Sequence, residues 1–390
     1  MKITFLIGNG FDIQCGLKTS YQDFYKYILS EKYRIDLSDV SGEKSEVIKN
    51  SIYKSIYDTR DNPETWGDLE FQLGFYTKQL REREGSSREV GLKFLDEFDE
   101  IFDDLNNYLK INQLSIDTET EEDYSEELLD MMENFFLGVL PTEEEEIKQH
   151  LNRYNTEHIY YQFLSFNYTS TLEVILRNSK TKSKKSSYSS QGYQMVVLDK
   201  PIYVHGKIDY MLTMGVNDET QISTDLFDEY DSVDLIKPLA LDRGREVMKS
   251  SAETALDESK VIVIFGMSLG KTDRYWWQKV AEVLLKDKNC KLVIHYYSRD
   301  NYSNANPRKI RLRRKGVEDM FLGHMTNKSI EELEQIRKQV YIVTNSQNVV
   351  NVNLNKYVEI GSVKEAINMW IEKIIIQLNC LIKIKNIEND

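Results

Sequence analysis

The run Lys2–Ile7 (KITFLI) is almost wholly apolar and stops at Gly8-Asn9-Gly10, with Gly16 following eight positions after Gly8. A run this short reads as a strand, and apolar residues at consecutive positions need cover on both faces, as in a parallel sheet flanked by helices. Glycines at the end of such a strand bring bare backbone N–H groups close to a neighbour. In α/β proteins that neighbour is often a phosphate; a tight turn that binds nothing is the plainer alternative.

Further strand-like runs come much later, at Ile159–Phe166, Pro201–His205, Val261–Phe265, Lys291–Tyr296 and Val340–Val343. Helical patterns over Arg245–Asp257 and Arg274–Lys286 flank Val261–Phe265, the alternation of a doubly wound α/β domain. Between residues 21 and 155 the periodicity is helical. Trp66, Leu69, Leu73, Tyr76 and Leu80 recur at helical spacing, as do Phe94, Phe98, Ile101, Leu105 and Tyr108. The expected organisation is a Rossmann-type parallel sheet from residues 1–20 and 156–345, a large helical insertion at 21–155, and a C-terminal strand and helix over 346–390 packing on the core. Asn178–Gly192 is rich in Lys and Ser and reads as a surface loop.

The formal net charge of −14 argues against bulk electrostatic binding to nucleic acid. One basic stretch, Arg308–Lys315, is either an anion contact or a solvated helix face. The acidic run Glu143–Glu146 reads as a solvated face. Three cysteines, Cys15, Cys290 and Cys380, form no zinc-type pair and read as reduced thiols. No apolar stretch reaches the length of a membrane span, so a soluble cytoplasmic protein without a membrane partner is expected.

Later strands also end in polar signatures: Phe166 leads into Asn167-Tyr168-Thr169, Val204 into His205-Gly206, and Phe265 into Gly266-Met267-Ser268-Leu269-Gly270, with Asp273 close behind. In an open α/β sheet such strand ends line the ligand crevice. Asn167 and Ser268 also fit as helix caps, and His205 as a histidine merely hydrogen-bonded at a strand end. Gly206 would let a ligand approach the backbone. Glu70 lies one helical turn from Trp66, so the pair is either a lid over the pocket or ordinary packing.

These phrases resemble the AbiH family of bacterial phage-defence proteins, in Gly8-Asn9-Gly10-Phe11-Asp12, Gly16-Leu17-Lys18-Thr19-Ser20-Tyr21, Phe166–Thr169, His205-Gly206 and Phe265–Leu269. In the same order, shorter pieces resemble sirtuin-like NAD-binding domains: Gly8, Gly10 and Gly16, then Asn167, His205-Gly206 and Gly266–Leu269. That second resemblance implies NAD as substrate or ligand. Gly8, Asn9, Gly10, Phe11, Asp12, Gly16, Gly266, Ser268 and Asp273 would bind it, and Asn167 and His205 would face the nicotinamide ribose. His205, with a near-neutral pKa, would move a proton or orient water. Asp12 and Thr169 depart from the sirtuin pattern, where a small residue and an aspartate stand, and three cysteines cannot build the sirtuin zinc module.

The reading that follows is an anti-phage NAD glycohydrolase, quiet until a phage-derived trigger or partner protein arrives, and with room for homo-oligomerisation. The alternative is a nucleotide-binding sensor without catalysis. A third reading, a nuclease with Asp12, Glu70 and Asp273 as metal ligands, has no spacing to recommend it, and no metal is expected. A Cβ at Gly10 (Gly10→Val) is expected to block the nucleotide while leaving the fold nearly intact.

Overall fold

The computed structural model describes residues 1–35, 42–59, 69–114, 123–154, 158–179, 183–185, 194–197, 200–297 and 306–344. Trp66, Cys380 and the expected C-terminal strand and helix lie outside these residues.

Among the described residues, eight strands form one sheet: β1 (Lys2–Ile7), β2 (Ile159–Ser165), β3 (Ser183–Lys185), β4 (Gln194–Val197), β5 (Ile202–Tyr203), β6 (Val261–Phe265), β7 (Lys291–Tyr296) and β8 (Val340–Thr344). Their order is β3-β4-β2-β1-β6-β7-β8, with β5 pairing β2 beyond β4. All neighbours run parallel except β3 against β4. With the antiparallel edge strand set aside and β5 grouped with β4, the order is that of the Rossmann fold, and β1 stands at the point where the chain reverses direction across the sheet.

The apolar strands are covered on both faces, as their composition demands. On β1, Ile3, Phe5 and Ile7 join one core with Val261, Val263 and Phe265; Leu6 joins a second core on the opposite face with Ile262 and Ile264. The helices Ser125–Glu133, Pro141–Asn152 and Thr171–Asn178 cover the first face. Glu246–Asp257, Arg274–Lys286 and Pro307–Leu322 cover the second. A third core unites helices Tyr21–Tyr27, Ser51–Asp58, Leu69–Glu84 and Arg88–Leu114 with Met214, Val216, Ile222, Leu226, Leu235 and Ile236. Both helical stripes read from the sequence point into it, Trp66 aside.

Three local readings are corrected by tertiary contacts. Part of the Lys/Ser-rich loop forms edge strand β3, because its backbone pairs antiparallel with β4. Glu143, from the supposedly solvated acidic run, pairs with Arg314 of the basic stretch at 2.5 Å, and Glu146 accepts from the Tyr341 hydroxyl at 3.0 Å. One arginine of the basic stretch is thus spent inside the molecule. Cys15 and Cys290 are free and buried.

The glycines after β1 turn out to face another turn of the same chain. Gly8 N donates to Phe265 O at 2.9 Å, and Gly10 N donates to Gly266 O at 2.8 Å. A Cβ on Gly10 would lie 2.6 Å from Gly266 Cα, which is backbone and cannot swing away. Gly266 has φ +69°, and a Cβ there would meet Phe11 N at 2.7 Å. The expectation that Gly10→Val spares the fold is therefore overturned. Gly10→Val, through its clash with the Gly266 backbone, and Gly266→Ala, where positive φ alone costs about 1–2 kcal/mol, should both lower the melting temperature by several degrees. Calorimetry of the two variants checks this, and a parent-like melt would contradict it.

Candidate functional site

Ile7, Ser165 and Phe265 sit side by side at the carboxyl ends of β1, β2 and β6, and Tyr203 of β5 pairs with Ser165. The segments leaving these strands therefore emerge together at the switch point. They border a cavity of about 460 Å³ lined by Gly8, Asn9, Asp12, Asn167, Thr169, His205, Gly266, Ser268 and Asp273, among others. From the helical core, Tyr21, Glu70, Leu105 and Leu109 complete the wall.

Of the residues singled out in the sequence, Gly10, Phe11 and Gly16 stand outside this lining. Gly10 packs on Gly266. Phe11 is buried edge-on to Phe265, with ring centroids 6.3 Å apart. Gly16, at φ +91°, turns the chain after the short helix Asn9–Gln14. Asn9 clips the returning loop, donating from Nδ2 to Thr19 O at 2.9 Å while Oδ1 accepts from the Thr19 hydroxyl at 2.5 Å. Gly206 is likewise approached by protein: a Cβ there would meet Met211 O and the Arg245 guanidinium.

Asp12 is buried to 1% exposure and is the hub of the near side. Its Oδ1 accepts from Asn167 Nδ2 at 3.0 Å and its Oδ2 from the Thr169 hydroxyl at 2.5 Å. The two departures from the sirtuin pattern are thus each other's partners. Asn167 caps no helix; the helix at Thr171 begins at Ser170 without a side-chain cap. Burial raises the Asp12 pKa to about 6, against the opposing pull of its three side-chain donors. Asn167 Oδ1 is buried and has no hydrogen-bond partner among the described residues.

The far side is built on a residue that sequence reading missed. Lys237, 3% exposed, donates to Glu70 Oε2 at 2.7 Å and to Asp273 Oδ1 at 2.8 Å. Burial works against its charge, yet Asp273 and Glu70 outweigh it and raise the lysine pKa. Burial also acts to raise Asp273, but Lys237 and His205 hold its carboxyl below the usual range. The ammonium stands between Glu70 and Asp273, and among the described residues no group of three or more His, Cys, Asp or Glu side chains is arranged to hold a metal ion. The available signal was a lone lysine amid apolar neighbours, Leu235-Ile236-Lys237-Pro238-Leu239.

His205 lies beside this triad. Its Nε2 is 3.5 Å from Asp273 Oδ1 and forms no aligned hydrogen bond. Burial, with Lys237 and Arg245 nearby, lowers its pKa to about 3, which corrects the near-neutral value expected from sequence. The imidazole is neutral at physiological pH.

Residues 4–296 match the family model described as bacteriophage abortive infection AbiH. The chain belongs to the AbiH family. The match takes in most of β1, all of β2 to β7 and all the cavity-lining residues named above. Comparison with curated proteins gives no match. AbiH membership assigns the chain a role in abortive infection against bacteriophage. No helix among the described residues of this AbiH chain is long and apolar enough to cross a membrane.

Buried titrating groups set opposing pH dependences. His205, and His150 and His295 with pKa lowered to about 4 by burial, bind protons more readily unfolded; their contribution is intact above pH 6.5 and is lost as pH falls. Asp12 binds its proton more tightly when folded, so its contribution is full below about pH 4 and is lost as pH rises through 6, costing roughly 3 kcal/mol at neutral pH. Asp12→Asn should therefore melt no lower than the parent at pH 7.5, and should lose stability more steeply between pH 7.5 and 5. Thermal melts across that range check both; a shallower profile for the variant would contradict the assignment.

Proposed function

We propose that the cavity binds NAD and hydrolyses its nicotinamide–ribose bond, releasing nicotinamide and ADP-ribose when a phage-derived trigger activates the protein. The observation that carries this reading is the pair Asn167 and His205. Both border the cavity at the switch point, and each holds a buried polar atom, Oδ1 and Nε2, with no hydrogen-bond partner among the described residues. Such atoms are costly to bury unpaired, and a hydroxyl-rich ligand is one way to satisfy them.

Size and charge support the same reading. The volume of about 460 Å³ falls within the roughly 300–1,000 Å³ of small-molecule sites. The lining carries three carboxylates, Asp12, Glu70 and Asp273, against one ammonium, Lys237. Excess negative charge favours the cationic nicotinamide ring of NAD and the cationic ribose centre formed as the bond breaks. In that step the C–N bonding pair leaves on the nicotinamide nitrogen, water adds to the ribose carbon, and the water proton passes to a base. Asn167 would orient the ribose or the water, and His205 is the base at hand.

The low pKa of His205 favours a second reading, a nucleotide sensor without turnover, because an imidazole held near 3 is a weak base. Purified protein and phage-infected cells should be assayed for nicotinamide release. His205→Ala and Asn167→Ala should each reduce it at least about 100-fold if proton transfer and positioning are theirs. NAD should also raise the melting temperature more than its reduced, uncharged-ring form. Stabilisation by NAD with no nicotinamide released during an infection that the protein blocks would favour the sensor.

A further inference from the structure

Asp273 Oδ1 is the acceptor of the Lys237 ammonium at 2.8 Å and, at 3.5 Å, the nearest carboxylate oxygen to His205 Nε2. One oxygen faces two competing donors, and the lysine holds it. Lys237 is itself anchored from the other side by Glu70, on the helix Leu69–Glu84 of the helical core. Asp273 stands where the segment after β6 enters the helix Arg274–Lys286. The lysine therefore ties the helical wall to the strand-end loop immediately beside the histidine.

From this geometry we infer that Lys237 is a positioning residue that withholds Asp273 from His205, and that releasing it converts the two into a carboxylate–imidazole pair. No bond is made or broken in the exchange. The Asp273 oxygen changes its donor from the lysine ammonium to imidazole Nε2–H, and the proton that charges the imidazole comes from solvent.

Among the described residues, few groups act on His205. Lys237 and Arg245 disfavour its cation, Asp273 favours it, and the Phe166 ring packs edge-on at 5.2 Å. Arg245 is directed elsewhere, toward the carbonyls of Val204 and Tyr210. Removing the lysine thus removes one of the two cations and frees the only carboxylate among these groups. Burial of the imidazole persists, so the effect on its protonation isolates the exchange of partners. The inference concerns the state of His205 and stands whether the cavity takes NAD or another ligand.

The test is a titration of the histidine ring carbons by NMR in the full chain, labelled at its five histidines. His205 is assigned by the signal lost in His205→Gln. In the parent, the His205 signal should stay at its neutral position from pH 8 to 5. In the double variant Lys237→Met/Glu70→Gln, which removes the lysine without orphaning Glu70, it should titrate inside that window, an upward shift of at least two pH units. Lys237→Arg should restore the flat profile, a rescue that a merely space-filling role would not require. Should the double variant lose its cooperative melt, Lys237→Gln is read by the same criterion, since a neutral amide holds Asp273 far less strongly than an ammonium. A flat His205 profile in whichever variant melts cooperatively would overturn the inference. Nicotinamide release is not consulted, so failure here and failure of the NAD reading are separate results.

Discussion

The contact between the backbone of Gly10 and the backbone of Gly266 is the constraint on which the site rests. β1 and β6 are neighbours in the sheet, but parallel pairing alone leaves the segments beyond the strands free to diverge. Two short hydrogen bonds, Gly8 N to Phe265 O and Gly10 N to Gly266 O, carry the contact past the strand ends. Side chains at Gly10 or Gly266 would force the turns apart, because the nearest atoms are backbone. Once the turns are joined, Asp12 on one side and Asp273 on the other are fixed within the same cavity. The glycine pattern thus shapes the cavity indirectly, by holding its two walls together.

Each wall is then organised by a buried charge. Asp12 holds Asn167 and Thr169, so the side chains leaving β2 are oriented by the helix leaving β1. Lys237 holds Glu70 and Asp273, so the helical core and the sheet share one ion-pair triad. Buried pairs of this kind contribute little net stability, because desolvation offsets most of the attraction. Their effect is to specify geometry, and both clusters spend it on the same 460 Å³ cavity. The same cavity thus holds a buried carboxylate with its pKa raised to about 6 by burial and a neutral histidine beside an ammonium.

Elsewhere the molecule uses charge to close its own surfaces. Arg314 reaches Glu143 and the Ile342 carbonyl, joining the helix Pro307–Leu322 to the helix Pro141–Asn152 and to β8. Arg314 and Glu143, on the two helices, lie 171 positions apart along the chain. An acidic run and a basic run that looked like solvated faces are, in part, each other's partners.

The sheet, the alternation of strand and helix, and the stripes of the helical core were legible in the sequence because burial imposes period and composition locally. Five strand-like runs appear within a residue or two of their places, and Pro201–His205 retains a two-residue strand. That Asn167, His205 and Asp273 would come together was legible because a parallel sheet directs its strand ends to one edge, and all three line the cavity there. What each of them touches was decided only by the fold. Gly10 and Phe11 look like ligand contacts in sequence, yet they pack on Gly266 and Phe265, neighbours that depend on strand pairing across some 250 residues, while Gly16 sits in a local turn closed by hydrogen bonds to Ile13 and Asp12. Lys237 carried almost no signal, since a lysine is buried only when two carboxylates, here from Glu70 and Asp273, converge on it from distant parts of the chain. The protonation of His205 belongs to the tertiary structure for the same reason: its pKa follows from burial and from which partner holds one oxygen of Asp273.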